Sequence, residues 1–147
     1  MTASVHGITI FCDDIRNEMG NKHSLMGCYG ADLIVPVIPT LLPKLCAQIS
    51  ILVSPKDPPE SLVARARLGE EVIGEISMPD GEAARVVQHI SADYDDVEVI
   101  FLRVVMIFSP LSITEPSELR IEIEADGVTS RGGRLKIRAR EEDRATH

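Results

Sequence analysis

The sequence predicts a single all-β domain: an antiparallel β-sandwich of the immunoglobulin-like type, with about seven to nine strands and at most one short helix. Three observations support this prediction. Apolar and polar residues alternate with a period of two in several segments, Gly and Pro turn signals recur between them, and only one stretch has a helical pattern. The 147 residues, 44% of them hydrophobic, suffice for one packed core. We expect one domain over residues 1–140 and a polar tail over residues 141–147.

The alternation is clearest in four segments, at residues 45–53, 61–68, 118–125 and 134–140. Successive side chains of a strand point to opposite faces, so each segment offers one apolar and one polar face. The last two segments flank Asp126-Gly127 and Gly132-Gly133, which allow positive φ angles. They are therefore predicted to form an antiparallel hairpin with a loop near residues 126–133. Its solvent face would set a mostly acidic strand against a wholly basic one.

The run from Val97 to Phe108 is apolar at nearly every position, which favours a central strand covered on both faces. Prolines at positions 110 and 116 end this strand and bracket a connection. A weak amphipathic pattern over residues 80–91, with Asp80 as a candidate cap, is the one indication of a helix.

The N-terminal part contains a strand, a turn and a second strand. The first strand ends in Phe11-Cys12-Asp13-Asp14-Ile15-Arg16, and Glu18 and Lys22 flank the turn at Gly20-Asn21. The second strand contains Ser24-Leu25-Met26-Gly27-Cys28-Tyr29. Asp side chains can accept backbone N–H bonds where such a strand ends. This segment resembles the N-terminal signature of a family of small bacterial proteins of unknown function. The resemblance implies a compact sandwich-like domain and no known activity, substrate or cofactor.

An acidic segment precedes the long apolar run and is the nearest approach to a metal site. Its carboxylates belong to Asp93, Asp95, Asp96 and Glu98, and loops elsewhere add Asp13, Asp14 and Asp32. Hard cations such as Ca²⁺ are bound by several oxygens, so these loops would form a site if they lay at one end of the sandwich. The alternative interpretation is a solvated acidic turn before a buried strand, which also opposes aggregation.

The three cysteines, Cys12, Cys28 and Cys46, allow two other hypotheses. With His6 or His23 they would supply soft ligands for zinc, although their spacing matches no zinc module. Alternatively, Cys12 would act as a nucleophile, His23 as a base and Asp14 as the group that orients the base. We expect instead that the thiols are reduced and buried as small hydrophobic side chains, which is typical of a cytoplasmic protein.

Composition argues against several partners and activities. The net charge of −8 and the pI near 4.9 disfavour nucleic acid, whose phosphates require a basic face. Aromatic residues make up 3% of the chain, too few for extensive stacking on bases. The longest apolar run is too short to cross a bilayer, and nucleotide-binding, hydrolase and metalloprotease motifs are absent.

The leading hypothesis is therefore a cytoplasmic, non-catalytic β-sandwich module with an interaction or structural role and no cofactor. Its partner would be another protein or a second copy of the chain, paired along an edge strand, because unpaired sheet edges must be covered or protected. The rival is a small-ligand or Ca²⁺-binding domain that uses the acidic loops.

Overall fold

The computed structural model describes residues 5–141, which form eleven strands and one helix. In chain order these are β1 (His6–Glu18), β2 (Lys22–Cys28), β3 (Asp32–Val35), β4 (Thr40–Leu42), β5 (Leu45–Val53), β6 (Leu62–Leu68), β7 (Glu71–Met78), α1 (Glu82–Ser91), β8 (Ile100–Phe108), β9 (Leu111–Ile113), β10 (Ser117–Ala125) and β11 (Val128–Ala139). The prediction of an all-β fold with at most one short helix is confirmed. The strands outnumber the seven to nine predicted because β3, β4 and β9 have only three or four residues each, too few to show a period. Beyond Glu141, the predicted polar tail lies outside the described residues.

Two sheets form the layers of the sandwich. The first sheet has the strand order β2-β1-β5-β8 and the second β3-β11-β10-β6-β7, while β4 and β9 form a separate pair. All ladders are antiparallel except at one edge of the second sheet, where β3 runs parallel to β11. Within residues 5–141, no helix has the length and apolar character needed to span a membrane.

The core lies between the two sheets and is almost entirely aliphatic. Its largest fully buried side chains include Leu45, Ile49 and Ile51 of β5, Leu119, Ile121 and Ile123 of β10, and Leu135 and Ile137 of β11. Along one side the sheets approach closely, since a Cβ added at Gly7 would lie 2.8 Å from Cγ1 of Ile123. The Thr9 hydroxyl donates a 2.6 Å hydrogen bond to the Gly132 carbonyl there. This contact joins β1 to β11, and at the other side of the sandwich Gly74 of β7 lies against Phe108 and Met106 of β8.

The predicted hairpin forms, but its loop is shorter than expected. Asp126 and Gly127 have φ angles of 51° and 81° and form a two-residue turn, as in the type I′ turns of tight hairpins. Gly132 and Gly133 belong to β11 instead, beside a shift in register next to Ile121. The pairing of charged side chains between β10 and β11 also differs from the prediction. Among the described residues, one ion pair joins the two hairpin strands, that of Arg134 with Glu118 at 4.0 Å.

Two further expectations are corrected at helix α1 and strand β8. The helix begins at Glu82, after Gly81 in the left-handed conformation, and Asp80 does not cap it through its side chain. The apolar run that favoured a central strand forms β8, from Ile100 to Phe108, which lies at the edge of the first sheet. Only the alternate side chains that face the second sheet are buried in the core.

Candidate functional site

The hairpin of β1 and β2 bends sharply where Asp13 faces Gly27. The register between the two strands is continuous, with Cys12 opposite Cys28 and Asp14 opposite Met26. Gly27 has a φ angle of 67°, and a Cβ at this position would lie 2.8 Å from Cγ of Asp13. Only glycine fits this geometry. Residues 14–26, the part of the hairpin beyond the bend, are called the arm below.

The arm folds back over the first sheet. His23 is opposite Asn17 in the hairpin, whereas Gln48 is opposite Ile10 in the ladder of β1 with β5. In a straight strand β1, Asn17 and Ile10 would be roughly 23 Å apart, at a rise of about 3.3 Å per residue. Their partners His23 and Gln48 would then be equally far apart. Yet Nδ1 of His23 and Nε2 of Gln48 are 3.0 Å apart. The hairpin must therefore reverse its direction and cross the outer face of the sheet, the face that points away from the second sheet.

The arm explains why β5 is buried on both sides near its start. Cys46 and Gln48 point to the outer face, where the alternation predicted exposed side chains, but both are buried. The Cys46 thiol lies 3.8 Å from the Asp13 carbonyl and the Cys12 thiol 3.4 Å from the Asp14 carbonyl, each as a weak donor. The backbone of Asp13 and Asp14 at the bend thus covers both sulfur atoms.

Polar contacts hold the bend in place. The Tyr29 hydroxyl donates a hydrogen bond to Oδ1 of Asp13. Burial and then this hydrogen bond raise the pKa of Tyr29 to about 12. Just before β5, Nζ of Lys44 lies 2.6 Å from Oδ1 of Asp14. That hydrogen bond lowers the pKa of the Asp14 carboxyl and raises that of Lys44. The two carboxylates of the motif therefore serve the local structure.

The predicted metal ligands do not meet. Asp14 lies beside Lys44 at the end of the sheet where β8 terminates, whereas Asp93, Asp95, Asp96 and Glu98 precede its first residue. Strand β8, roughly 25–30 Å long at about 3.3 Å per residue, lies between its end near Asp14 and the acidic segment that precedes it. Asp32 is engaged elsewhere, 3.2 Å from Arg138. Within residues 5–141, no three His, Cys, Asp or Glu side chains form a group that could hold a metal ion.

The cysteines occupy one row across three strands, because Cys12 is opposite both Cys28 and Cys46. All three thiols are free, and only Cys28 is exposed. Burial raises the pKa of Cys12 to about 11 and also raises that of Cys46. A nucleophilic cysteine needs a lowered pKa and access to substrate, and His23 bonds to Gln48 instead. The geometry therefore does not support the proposed triad of Cys12, His23 and Asp14.

On either side of the arm, the outer face of the first sheet exposes apolar side chains. Ile8 of β1 is 56% exposed, and Phe101 and Ile107 of β8 are 59% and 55% exposed. Scattered exposed apolar residues are ordinary. Here, however, two large ones lie on the same face of the same edge strand. The sequence contains this signal, because Val97–Phe108 is apolar at nearly every position, but such a run is equally typical of a strand that is buried on both faces.

A groove of about 570 Å³ runs beside β8. Its walls come from the tip of the arm, the end of β7, helix α1 and β8, and they include Asn21, His23, Met78, Val86, Ile90 and residues 101–104. The hydrogen bonds that the backbone of β8 makes within the described residues run to β5, on one side only. On its other side β8 makes no backbone hydrogen bond within residues 5–141, and its residues 101–104 line the groove. Comparison with protein-family models, curated proteins and solved structures gives no match to the chain.

Proposed function

We propose that this chain is a non-catalytic interaction module that self-associates by antiparallel pairing of β8 with β8 of a second copy. The immunoglobulin-like sandwich acts as a rigid support for that edge. The observation that carries the proposal is an edge strand of nine residues whose exposed face bears Phe101 and Ile107. Such an edge is a template for another strand, and natural proteins protect it unless it is used.

The other three edge strands of the two large sheets differ from β8 because they are bent, short, charged or irregular. Helix α1 and the tip of the arm lie beside β8, across the groove. The edge strand β2 is part of the bent arm, and β3 has four residues followed by Pro36. The edge strand β7 contains two glutamates, and its ladder with β6 is irregular next to Ala66. In contrast, β8 is regular along its whole ladder with β5, and its one charged residue is Arg103. Charges, short length and bulges are the usual means of preventing edge pairing.

A two-fold pairing centred on Val104 suits the sequence of β8. Phe101 would then be opposite Ile107 of the second copy, and Arg103 opposite Val105. No arginine would face another arginine. Cross-strand pairs of aromatic and β-branched residues each contribute roughly 0.2–1 kcal/mol, whereas like charges directly opposite are destabilising. The two first sheets would join into one continuous sheet, and the apolar side chains of the two copies would cover one another.

Sedimentation equilibrium over a range of concentrations, together with a matched pair of variants, tests the proposal. Ile107→Lys and Ile8→Lys place the same charge at side chains of nearly equal exposure, 55% and 56%, on the same face of the same sheet. Only the first lies on β8. We expect Ile107→Lys to abolish self-association and Ile8→Lys to leave it intact. A wild-type chain that stays monomeric at millimolar concentration refutes the proposal, and so does equal loss in both variants.

The register can be tested separately by exchanging the two apolar residues for charges. Phe101→Lys alone and Ile107→Glu alone should each weaken association. The double variant should associate again, because pairing centred on Val104 places each new lysine opposite a new glutamate. A double variant that associates less than either single variant contradicts this register.

A further inference from the structure

The outer face of the second sheet carries an unusual row of positive charges. Arg120 of β10 is directly opposite Arg134 of β11 on one side and Arg67 of β6 on the other. Like charges directly opposite one another across strands are destabilising. Three adjacent strands therefore present guanidinium groups side by side in a chain whose net charge is −8.

The neighbouring carboxylates neutralise the β6 end of this row much better than the β11 end. Nε of Arg67 lies 3.0 Å from Oε2 of Glu122. Arg120 donates a 2.9 Å hydrogen bond to the Gly69 carbonyl, and its nearest carboxylate oxygen, in Glu70, is 3.6 Å away. Arg134 reaches a carboxylate only at 4.0 Å, beyond hydrogen-bond distance. Positive charge therefore accumulates towards β11.

Two further basic residues lie along β11, Arg131 opposite Glu122 and Lys136 opposite Glu118 in the ladder with β10. Arg131 and Lys136 form no ion pair within residues 5–141, and both line hollows in the surface beside Arg134. One hollow, of about 390 Å³, is lined by Glu118, Arg120, Ile121, Glu122, Arg131, Gly133 and Arg134. The other contains Lys136 and Arg138. Both acidic side chains of the first hollow already contact arginines, Glu118 at 4.0 Å and Glu122 at 3.0 Å.

We propose that the hollow between Arg120, Arg131 and Arg134 binds a small ligand with two or more linked phosphate groups. Guanidinium groups donate paired hydrogen bonds to phosphate oxygens. Neighbouring strands are about 4.8 Å apart, so arginines on adjacent strands can contact successive phosphates of one chain. A ligand with several negative charges would also relieve the repulsion between the opposed arginines.

The lining of the hollow restricts the ligand class further. It contains no aromatic side chain, so a nucleoside base would find no stacking platform there. A long nucleic acid would meet the net charge of −8 of the chain as a whole. The phosphate chain itself is therefore the recognised element, whether it belongs to a free diphosphate or to a nucleoside diphosphate.

Titration calorimetry with pyrophosphate, at constant ionic strength, tests the site with a matched pair of variants. Arg134 and Arg85 each have a side chain that is 72% exposed and each contacts one glutamate, but Arg85 lies on the helix. We expect Arg134→Gln to weaken pyrophosphate binding about tenfold or more, as the loss of a charge-assisted hydrogen bond implies, and Arg85→Gln to change it less than twofold. Equal effects of the two variants, or heats that do not saturate, refute the proposal.

Two further experiments test the chemistry by which the ligand is recognised. Glu118→Gln removes the carboxylate that competes for Arg134, so this variant should bind pyrophosphate more tightly than the wild-type chain. ADP should bind with an affinity similar to that of pyrophosphate, which would identify the phosphate chain as the recognised element. ADP binding in the absence of pyrophosphate binding overturns the proposal, and so does citrate binding as tightly as pyrophosphate.

Discussion

Replacement of Gly27 by alanine tests the bend on which the arm depends. Gly27 has a φ angle of 67°, and an added Cβ would lie 2.8 Å from Cγ of Asp13 and 3.1 Å from its Cβ. The Asp13 side chain would have to move, and its hydrogen bond from Tyr29 would break. The substitution therefore combines a backbone cost with the loss of a specific contact.

The two contributions can be separated with Gly20, at the tip of the arm. Gly20 has a φ angle of 79°, but an added Cβ would meet no atom within 4 Å. Left-handed backbone costs an alanine about 1–2 kcal/mol, and the lower entropy of the unfolded chain returns about 0.4–1 kcal/mol. We expect Gly20→Ala to destabilise by about 0.5–1 kcal/mol in total. Gly27→Ala should cost about 1 kcal/mol more, because the hydrogen bond to Asp13 is also lost.

Urea unfolding measures both variants, and thiol reactivity reports on the arm itself. Cys12 and Cys46 are buried beneath the bend, and Cys28 is exposed. We expect one fast thiol in the wild-type chain and in Gly20→Ala, and three accessible thiols in Gly27→Ala. The double variant Asp13→Ala/Gly27→Ala should lose less than the sum of the single changes, because the clash with the Asp13 carboxyl group is absent. Equal costs for Gly20→Ala and Gly27→Ala, with Cys12 and Cys46 still protected, would refute the bend as described.

Two further predictions concern stability. The pKa of Cys12 is raised from 9.0 to about 11 and that of Tyr29 from 10.0 to about 12. The unfolded chain therefore loses these protons first as pH rises. The contribution of Cys12 to stability is lost between about pH 9 and pH 11 and that of Tyr29 between about pH 10 and pH 12, each at up to about 1.4 kcal/mol per pH unit. Urea titrations from pH 8 to 11 measure this slope, which Cys12→Ser should make shallower; a flat profile contradicts the reasoning. Asp126→Ala should cost about 2–3 kcal/mol in thermal unfolding, because Oδ1 of Asp126 accepts two 2.9 Å backbone hydrogen bonds from Glu60 and Ser61 and the residue has a φ angle of 51°. Asp126→Asn, which keeps an acceptor oxygen and tolerates this φ angle, should cost less than half as much.

Local rules predicted most of the fold. Alternation over residues 118–125 and 134–140 predicted β10 and β11, because one face of each strand is in the core and the other in solvent. Asp126-Gly127 predicted the turn between them, because a turn with two successive positive φ angles favours this pair of residues. This signal is also local in the sequence. Period and turn chemistry do not determine which strands are neighbours. The parallel pairing of β3 with β11 and the position of β8 at an edge were therefore missed.

The candidate site could not be predicted from period and turn chemistry for the same reason. The same apolar sequence can form a central strand that is covered on both faces or an edge strand with an exposed face. The position of β8 in the sheet therefore could not be predicted from its own residues. The burial of Cys46 and Gln48 depends on the arm, whose path is set by a contact between Asp13 and Gly27 rather than by any period. The sequence motif that contains Asp13 and Asp14 does lie at the candidate site. We interpreted its aspartates as the end of a strand or as metal ligands, whereas they hold a bend within a strand that continues to Glu18.

The two proposed surfaces lie on opposite faces of the sandwich, which predicts that they can be impaired independently. Ile107 points outward from the first sheet and Arg134 outward from the second, with two packed layers about 10 Å apart between them. Effects of distant substitutions without shared contacts are additive. Ile107→Lys should therefore abolish self-association while the pyrophosphate affinity stays within twofold, and Arg134→Gln should weaken pyrophosphate binding while the association constant is unchanged. Sedimentation and calorimetry on the same four chains, the wild type, both single variants and the double variant, measure this. If Arg134→Gln also dissociated the dimer, the arginine row would have to contact the second copy, and pairing through β8 alone would be wrong.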